Sequence, residues 1–158
     1  MLRHRRDRSR GQALVEFSIV LVPFLIILMG IFDLGRGIYM MNSTAEAARE
    51  IARVTVVHRT STCTAVNCVL GSSSQAQAVI ETQRKLIPGF QFTTATDIVC
   101  IDGMASMASG ADVTKADFGC GTGDYIRVRV QAPFTPVTPL VSAFGTHTFE
   151  SYSRIKVP

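Results

Sequence analysis

Residues 11–33 read GQALVEFSIVLVPFLIILMGIFD, and this stretch decides the fold of the chain. Between Gln12 and Phe32 the one charged residue is Glu16. At about 1.5 Å per residue, these 21 residues form a helix of roughly 30 Å, which is the thickness of the hydrocarbon core of a bilayer. The stretch therefore predicts a transmembrane helix over residues 12–32.

The segment before this helix is short and strongly basic. Residues 1–11 carry five arginines and one aspartate, and we expect this leader peptide to be too short and too charged to fold by itself. Basic residues beside a membrane segment favour the cytoplasmic face. The pattern therefore predicts a single-pass protein of the cytoplasmic (inner) membrane, with its N-terminus inside and the chain after Asp33 outside.

A secretory signal peptide is the alternative interpretation of the apolar run, because its hydrophobic region has a similar length. Such a signal ends in a cleavage site of the Ala-x-Ala kind shortly after the apolar residues. Residues 34–38 read LGRGI and do not supply one. The sequence therefore favours a retained membrane anchor over a signal that is removed.

The basic character of the chain comes from the leader. The whole chain has 16 basic and 12 acidic residues, and removal of the five arginines and one aspartate of residues 1–11 leaves 11 of each. No stripe of Lys and Arg with interleaved aromatic residues remains in the rest of the sequence. The pI near 9.1 therefore indicates oriented membrane insertion, and no nucleic acid is expected as a partner.

Glu16 is the anomaly of the apolar run, because an unpaired charge in hydrocarbon costs about 2.5 to 3.5 kcal/mol or more. The carboxylate either lies near the headgroups or needs a partner. Gly11, which ends the basic leader, precedes Glu16 by five residues. Residues 11–17 resemble the prepilin-peptidase processing site of type IV pilin-like proteins. This resemblance implies cleavage between Gly11 and Gln12, and assembly roles for Glu16 and Phe17, with the glutamate pairing with the freed N-terminal amine.

Four motifs together narrow the resemblance. They are residues 10–17 (RGQALVEF), Pro23 within the apolar run, residues 32–36 (FDLGR) and residues 47–53 (AAREIAR). As a set they are similar to the TadE-like pseudopilins, which are minor pilins of the tight-adherence (Flp) type IV pilus. The motifs cover roughly the first third of the chain. The four cysteines are not part of the resemblance.

The resemblance implies a function and a set of partners. The function is assembly of a Tad/Flp-type pilus for adherence, after processing by a prepilin peptidase. The implied partners are that peptidase, the major Flp pilin, other minor pilins, the inner-membrane pilus assembly platform and the lipid bilayer. The implied fold is type IV pilin-like, and the processed subunit is expected in the membrane or in an extracellular pilus.

The helix is predicted to continue as an extension over residues 33–58. Pro23 lacks the N–H that would bond to the carbonyl of Ile19, so we expect a kink there. Thr44, Ala48 and Ala52 recur every four residues and form a narrow stripe of small residues on the extension. The stripe could receive a partner helix, but amphipathic helices usually bury such a stripe within their own domain, and we favour that packing.

Residues 59–158 are predicted to form a small extracytoplasmic α+β domain. The expected elements are a helix over residues 75–86, capped by one of three serines, and strands over residues 90–101, 124–130 and 146–157. The first of these strands is expected to have a break near Asp97. In the second strand Tyr125, Arg127 and Arg129 should share one face. Residues 102–123 are expected to be a loop, and Pro133, Pro136 and Pro139 a stiff crossover. The predicted fold is α+β, with an antiparallel sheet of about three strands packed on the long helix.

Four cysteines allow three disulfide pairings. Pairing of Cys63 with Cys68 and of Cys100 with Cys120 closes the shortest loops, and an extracytoplasmic location permits disulfides. A four-cysteine zinc site usually contains close Cys-x-x-Cys pairs, which this sequence lacks. We therefore expect disulfides and no metal.

No pattern of catalytic residues stands out. The three histidines have no recognisable nucleophile or ligand partner, and the sequence has no glycine-rich phosphate loop. The aspartates at positions 97, 102, 112, 117 and 124 match no calcium loop and are expected to be solvated. We expect a protein that is not an enzyme and has no cofactor. The alternative to a pilin is a signal-anchored, single-pass membrane protein whose outer domain binds a ligand or partner, and N-terminal sequencing separates the two.

Overall fold

A computed structural model describes residues 4–58, 70–115, 120–138 and 145–158, with side chains from residue 11 onward. The elements are α1 (His4–Val57), α2 (Ser74–Leu86), α3 (Thr94–Asp97), β1 (Ile98–Ile101), α4 (Gly103–Ser109), β2 (Thr114–Lys115), β3 (Tyr125–Phe134) and β4 (His147–Lys156). The chain divides into two compact units. The first contains Met1–Gly37 and Thr135–Thr146, and the second contains Ile38–Phe134 and His147–Pro158.

Helix α1 contains both the predicted transmembrane segment and its extension. It ends at Val57, as the sequence predicts, and Pro23 lies inside it. The leader was expected to be unfolded, but α1 begins at His4. Arginine is a good helix former, and extending an existing helix costs far less than nucleating one. The apolar run therefore carries the helix back into the leader.

The last five turns of α1 provide one wall of the core of the second unit. Thr44 and the small apolar residues at every third or fourth position are fully buried, and they pack with the inner face of the sheet and with Ile80 of α2. The buried set on α1 is Met40, Thr44, Ala47, Ala48, Ile51, Ala52, Val54 and Thr55. Small side chains let the helix approach the sheet closely. The prediction that the small-residue stripe packs within its own domain is confirmed.

The sheet in the described part of the chain has four antiparallel strands in the order β2-β1-β3-β4. In β3, Ile126, Val128 and Val130 are buried, whereas Tyr125, Arg127 and Arg129 face outward, as the alternation predicts. The α+β class and the packing of the sheet on the helix extension are confirmed. The number of strands was underestimated by one, because β2 has two residues and no alternating pattern of its own.

Residues 90–101 were expected to form a strand with a break near Asp97. The strand after the break is confirmed, whereas the strand expected before it is wrong. Residues 94–97 form the short helix α3, and β1 begins at Ile98. The side chain of Asp97 closes this turn, because its Oδ2 accepts a hydrogen bond from the N–H of Thr93 at 2.7 Å. Before the turn, Gln91 makes a single bridge to Gln131 of β3.

Residues 102–123 were expected to be a loop, but they include α4 and β2. Oδ1 of Asp102 caps α4 by accepting a hydrogen bond from the N–H of Ala105 at 2.8 Å. The helix ends at Gly110, whose φ of 69° lies in the left-handed region that glycine adopts without strain. Capping residues therefore organise a segment whose composition alone indicates a loop.

Strand β3 is longer than predicted and runs through Pro133. The sequence assigned Pro133 to a crossover, yet it pairs with Thr148 of β4. Strand β1 pairs with β3 only as far as Val128, so Pro133 lies where one side of β3 has no paired strand and its missing N–H costs little. Pro136 follows β3 outside any strand, and Pro139 lies outside the described residues.

The remaining elements agree with the sequence to within one or two residues. Helix α2 runs over Ser74–Leu86, and the hydroxyl of Ser73 caps it by accepting a hydrogen bond from the N–H of Ala76 at 3.2 Å. Strand β4 runs over His147–Lys156. The rings of Phe134 and Phe149 pack with their centroids 5.6 Å apart, which closes one end of the core.

Candidate processing and assembly segment

The apolar part of α1 is exposed along its whole length. Its most apolar window of 18 residues has a mean hydropathy of 2.6, and none of that window is buried. A core helix of a water-soluble protein would be mostly buried, because exposed apolar area is unfavourable in water. The described residues therefore contain one N-terminal helix that fits a single-pass membrane protein.

Gly11, Gln12 and Glu16 lie together at the start of this apolar surface. A Cβ atom added to Gly11 would meet no other atom within 4 Å, so the backbone is open there. The side-chain amide of Gln12 donates to Oε1 of Glu16 at 3.4 Å, which shows that positions 12 and 16 share one face of α1. A new N-terminal amine at position 12 would therefore start one helical turn from a carboxylate.

Phe17 and Pro23 lie on the same exposed segment. The ring of Phe17 is exposed, like most of the large apolar side chains between residues 14 and 32. Pro23 is continuous with the helix on both sides. A kink at Pro23 stays a prediction. Phe17 is thus available to lipid or to another helix.

Asp33 makes the best-defined polar contact of the first unit. Its carboxylate accepts hydrogen bonds from the N–H of Val137 at 3.0 Å and from the N–H of Thr138 at 2.6 Å. The hydroxyl of Thr138 donates to the same carboxylate, and Nη1 of Arg36 lies 3.8 Å from Oδ1. The sequence marked Asp33 as the end of the apolar run and as part of the FDLGR motif, without a contact partner. Its partners lie more than 100 positions later in the chain, so no local pattern could reveal them.

The outer face of the sheet in the second unit carries a network of arginines and aspartates. Arg129 donates through Nε and Nη2 to Oδ1 of Asp97, at 2.9 and 2.7 Å. Arg127 and Arg154 lie directly opposite each other on β3 and β4, and Asp112 binds both at 2.9 and 2.8 Å. Like charges placed opposite each other across a sheet repel, so Asp112 removes that penalty.

A polar cavity of about 280 Å³ opens on this face. It is lined by Thr96, Asp97, Val99, Arg127, Arg129 and Tyr152. The hydroxyl of Tyr152 donates to Oε2 of Glu150 at 2.8 Å. This hydrogen bond, followed by one from Gln131, lowers the pKa of Glu150. The cavity is therefore lined by acidic and basic side chains, and Arg129 and Tyr152 in its wall are each held by a hydrogen bond to a carboxylate.

Asp124 is the most completely hydrogen-bonded carboxylate near the disulfide. It accepts from the N–H of Gly121 at 2.8 Å and of Gly103 at 3.1 Å, and Nζ of Lys115 lies 3.0 Å away. Burial raises the pKa of Asp124, but these three donors lower it by more, so its pKa lies below the ordinary value. The hydrogen bond to Asp124 in turn raises the pKa of Lys115.

The expectation that the loop aspartates are solvated is therefore wrong for Asp97 and Asp124, whereas Asp102 and Asp112 keep part of their surface exposed and still have protein partners. Asp97 and Asp124 are buried, Asp102 caps α4, and Asp112 binds two arginines. Asp117 lies outside the described residues. Each of these carboxylates finds donors that the chain brings in from other elements, and composition does not indicate such partners.

Cys100 and Cys120 form a disulfide, with their Cα atoms 5.7 Å apart, and this is one of the two pairs that the sequence favoured. Cys63 and Cys68 lie outside the described residues. An oxygen of Asp124 lies within 4.8 Å of both disulfide sulfurs. A cysteine binds zinc as a thiolate, so these disulfide-bonded sulfurs do not fit a zinc site.

Comparison with known proteins identifies the N-terminal segment. Residues 11–53 match the family model described as TadE-like protein. No curated protein and no solved structure matches the chain. The matched range begins at Gly11 and includes Glu16, Pro23, Asp33 and the buried stripe of α1. The resemblance found in the sequence is thereby confirmed for residues 11–53, which are similar to the TadE-like family of the Tad pilus system.

Proposed function

We propose that this protein is a minor pilin or pseudopilin that a prepilin peptidase cuts after Gly11 and that takes part in assembly of a Tad/Flp-type pilus for adherence. The observation that carries the proposal is the family match that begins at Gly11 and includes Glu16 within an exposed apolar helix. The match indicates a component associated with the Tad pilus. Processing and the assembly role are the proposal.

The electrostatics of Glu16 support this proposal. An ionised carboxylate in an apolar helix needs a positive partner when it enters hydrocarbon or a bundle of helices. In the uncut chain its described hydrogen-bond donor is the neutral amide of Gln12, which supplies no positive charge. Cleavage after Gly11 would create an amine at position 12, and assembly would allow that amine to pair with the Glu16 carboxylate of a neighbouring subunit or of its own chain.

The membrane placement follows from the same segment. We propose that the leader stays in the cytoplasm, that residues 12–32 span the inner membrane, and that the second unit lies outside. The proposed partners are the peptidase, the major Flp pilin, other minor pilins and the inner-membrane assembly platform. The proposed role is structural and not enzymatic. Among the described residues, His58, which follows α1, and His147, at the start of β4, are both exposed.

N-terminal sequencing of the protein purified from its native membrane tests the proposal. The expected result is a terminus at Gln12, with the leader absent. Deletion of the peptidase gene in the same cells should restore a terminus at or near Met1. A leader that remains attached in cells with assembled pili would overturn the processing step and, with it, the pilin role.

The second candidate is a signal-anchored membrane protein whose outer domain binds a ligand or partner. The observation that favours it is the ordered polar cavity at Arg127, Arg129 and Tyr152. An intact leader in the native membrane, together with unchanged piliation after deletion of the protein, would support this candidate over the pilin.

A further inference from the structure

The carboxylate of Asp33 holds a short segment of chain beside the outer end of the transmembrane segment. Asp33 is the residue after Phe32, which ends the apolar run. Its side chain is only 8% exposed and binds Val137 and Thr138, and all of these residues belong to the first compact unit. With a rise of about 1.5 Å per residue, Asp33 lies within a few ångströms of the level at which the uncharged apolar run of α1 ends.

The backbone of residues 135–138 suits a position close to lipid. A free N–H group is costly at membrane depth, because no water is available there to bind it. Pro136 has no N–H, and the N–H groups of Val137 and Thr138 both donate to Asp33. The four residues carry no charged side chain. The N–H groups of residues 136–138 are therefore absent or already satisfied.

In this segment the side chain of Thr138 is buried in the protein, whereas the side chain of Val137 is exposed. Thr138 is 2% exposed, and its hydroxyl donates to Asp33. Val137 is 71% exposed, close to the 75% of Phe32 at the end of the apolar run. An apolar side chain with that exposure gains free energy by leaving water. The bilayer surface is the apolar phase next to this position if residues 12–32 span the membrane.

We propose that residues 135–137 make a second contact with the membrane, in the outer headgroup layer beside the transmembrane helix, and that Asp33 holds them there. The partner is the lipid surface, and Val137 is the side chain that enters it. The inference rests on the membrane placement given above, but it does not require cleavage after Gly11. Residues 33–36 of α1 thus fix a contact that continues the surface of the transmembrane segment.

Single tryptophans test this contact, because the natural sequence contains none. Val137→Trp, Phe32→Trp and Val57→Trp would each be placed in the full chain and reconstituted in nanodiscs, with and without brominated lipids. Val57 is the matched control, since it is a valine that is 66% exposed and follows Phe32 by 25 residues along α1. We expect bromolipid quenching and blue-shifted emission for Val137→Trp and Phe32→Trp, and strong iodide quenching without bromolipid quenching for Val57→Trp.

Addition of Asp33→Ala to the Val137→Trp chain tests the role of the carboxylate. We expect loss of bromolipid quenching and a gain of iodide quenching, while emission of Val57→Trp stays unchanged in the same background. Persistent bromolipid quenching would overturn the role of Asp33. If Phe32→Trp is quenched by bromolipid and Val137→Trp behaves like Val57→Trp, the second contact is refuted while the transmembrane segment stands. If Phe32→Trp is not quenched either, the membrane placement fails together with this inference.

Discussion

Residues 14–32 and residues 40–55 belong to one helix, but they present opposite surfaces. In the first region the large apolar side chains are exposed all round the helix, from Leu14 to Phe32. In the second region the buried residues form one stripe that includes Ala48 and Ile51, and charged pairs such as Glu50 with Arg53 face outward. A helix that is apolar all round needs an apolar environment, whereas a helix with one apolar stripe needs one partner surface.

The two regions therefore differ in the property that their residues determine. The large apolar side chains of the first region are exposed, so we expect its residues to determine contacts with lipid, with the proposed peptidase and with the proposed pilus. The second region is a wall of the core, so its residues determine stability. Substitutions in the first region should change processing and assembly while the domain stays folded, and substitutions in the second should do the reverse.

The largest expected effect is complete loss of processing in Gly11→Ala. Gly35→Ala is the matched control, because an added Cβ meets no atom within 4 Å at either glycine. Neither change should therefore alter the fold, and only Gly11 lies at the proposed cleavage site. Immunoblotting of membrane fractions for the uncut form measures the result. Normal cleavage of the Gly11→Ala chain, or an equal loss of cleavage in both variants, would contradict the assignment of the cleavage site to Gly11.

The next largest expected effect is a severe loss of incorporation of the Glu16→Ala subunit into the pilus, while cleavage after Gly11 is retained. The reason is that the amine freed at position 12 would lose the carboxylate that neutralises it. Glu46→Ala makes the same chemical change in the second region, where the side chain is largely exposed and pairs with Arg49 at 3.9 Å. Cells that carry Glu46→Ala should assemble pili normally. Wild-type piliation with Glu16→Ala would end the proposed role of this carboxylate.

Ile51→Ala should destabilise the second unit by about 2–5 kcal/mol, the usual cost of removing a large apolar side chain from a core. Ile51 is fully buried, whereas Ile26 is exposed in the first region, so Ile26→Ala should leave the free energy of unfolding nearly unchanged. Urea titration in detergent with pulse proteolysis of the second unit measures both. Similar urea midpoints for the two variants would contradict the claim that only the second region determines stability.

The smallest effect concerns pH. The pKa of Asp124 is lower in the folded chain, so its contribution to stability is complete above the pKa of an unfolded aspartate, about 3.9, and is lost as pH falls through the lower folded value. The difference in urea midpoint between pH 7 and pH 3 should therefore be smaller in Asp124→Asn than in the wild type. An equal difference in both chains would mean that Asp124 does not contribute to the acid sensitivity of the second unit.

The sequence was most reliable where the signal is local and periodic. Alternation in β3 gave the correct inward and outward faces, and spacing of four residues in α1 gave the buried stripe. It failed for α3, where the residues suggest a strand but the side chain of Asp97 closes a helical turn. It also failed for α4, because the caps at Asp102 and Gly110 act in a segment with little apolar periodicity.

The predictions for the candidate segment also succeeded for local features and failed for long-range contacts. Gly11, Glu16 and the apolar run are contiguous, so their spacing could be read directly, and the family match covers them. The contact at Asp33 could not be predicted, since its donors at Val137 and Thr138 follow it by 104 and 105 positions. The network on the outer face of the sheet depends likewise on which residues of β3 and β4 become neighbours.

By itself, the sequence determined the apolar helix, its length and the basic leader before it, because hydropathy and helical rise depend only on neighbouring residues. It also determined which side of β3 is apolar, because side chains alternate along any strand. Only the tertiary structure decided which carboxylates are buried and what they hold. Donors to a buried carboxylate come from wherever the fold brings N–H groups and cations together, and in this chain each buried aspartate has at least one donor from another element or a distant position.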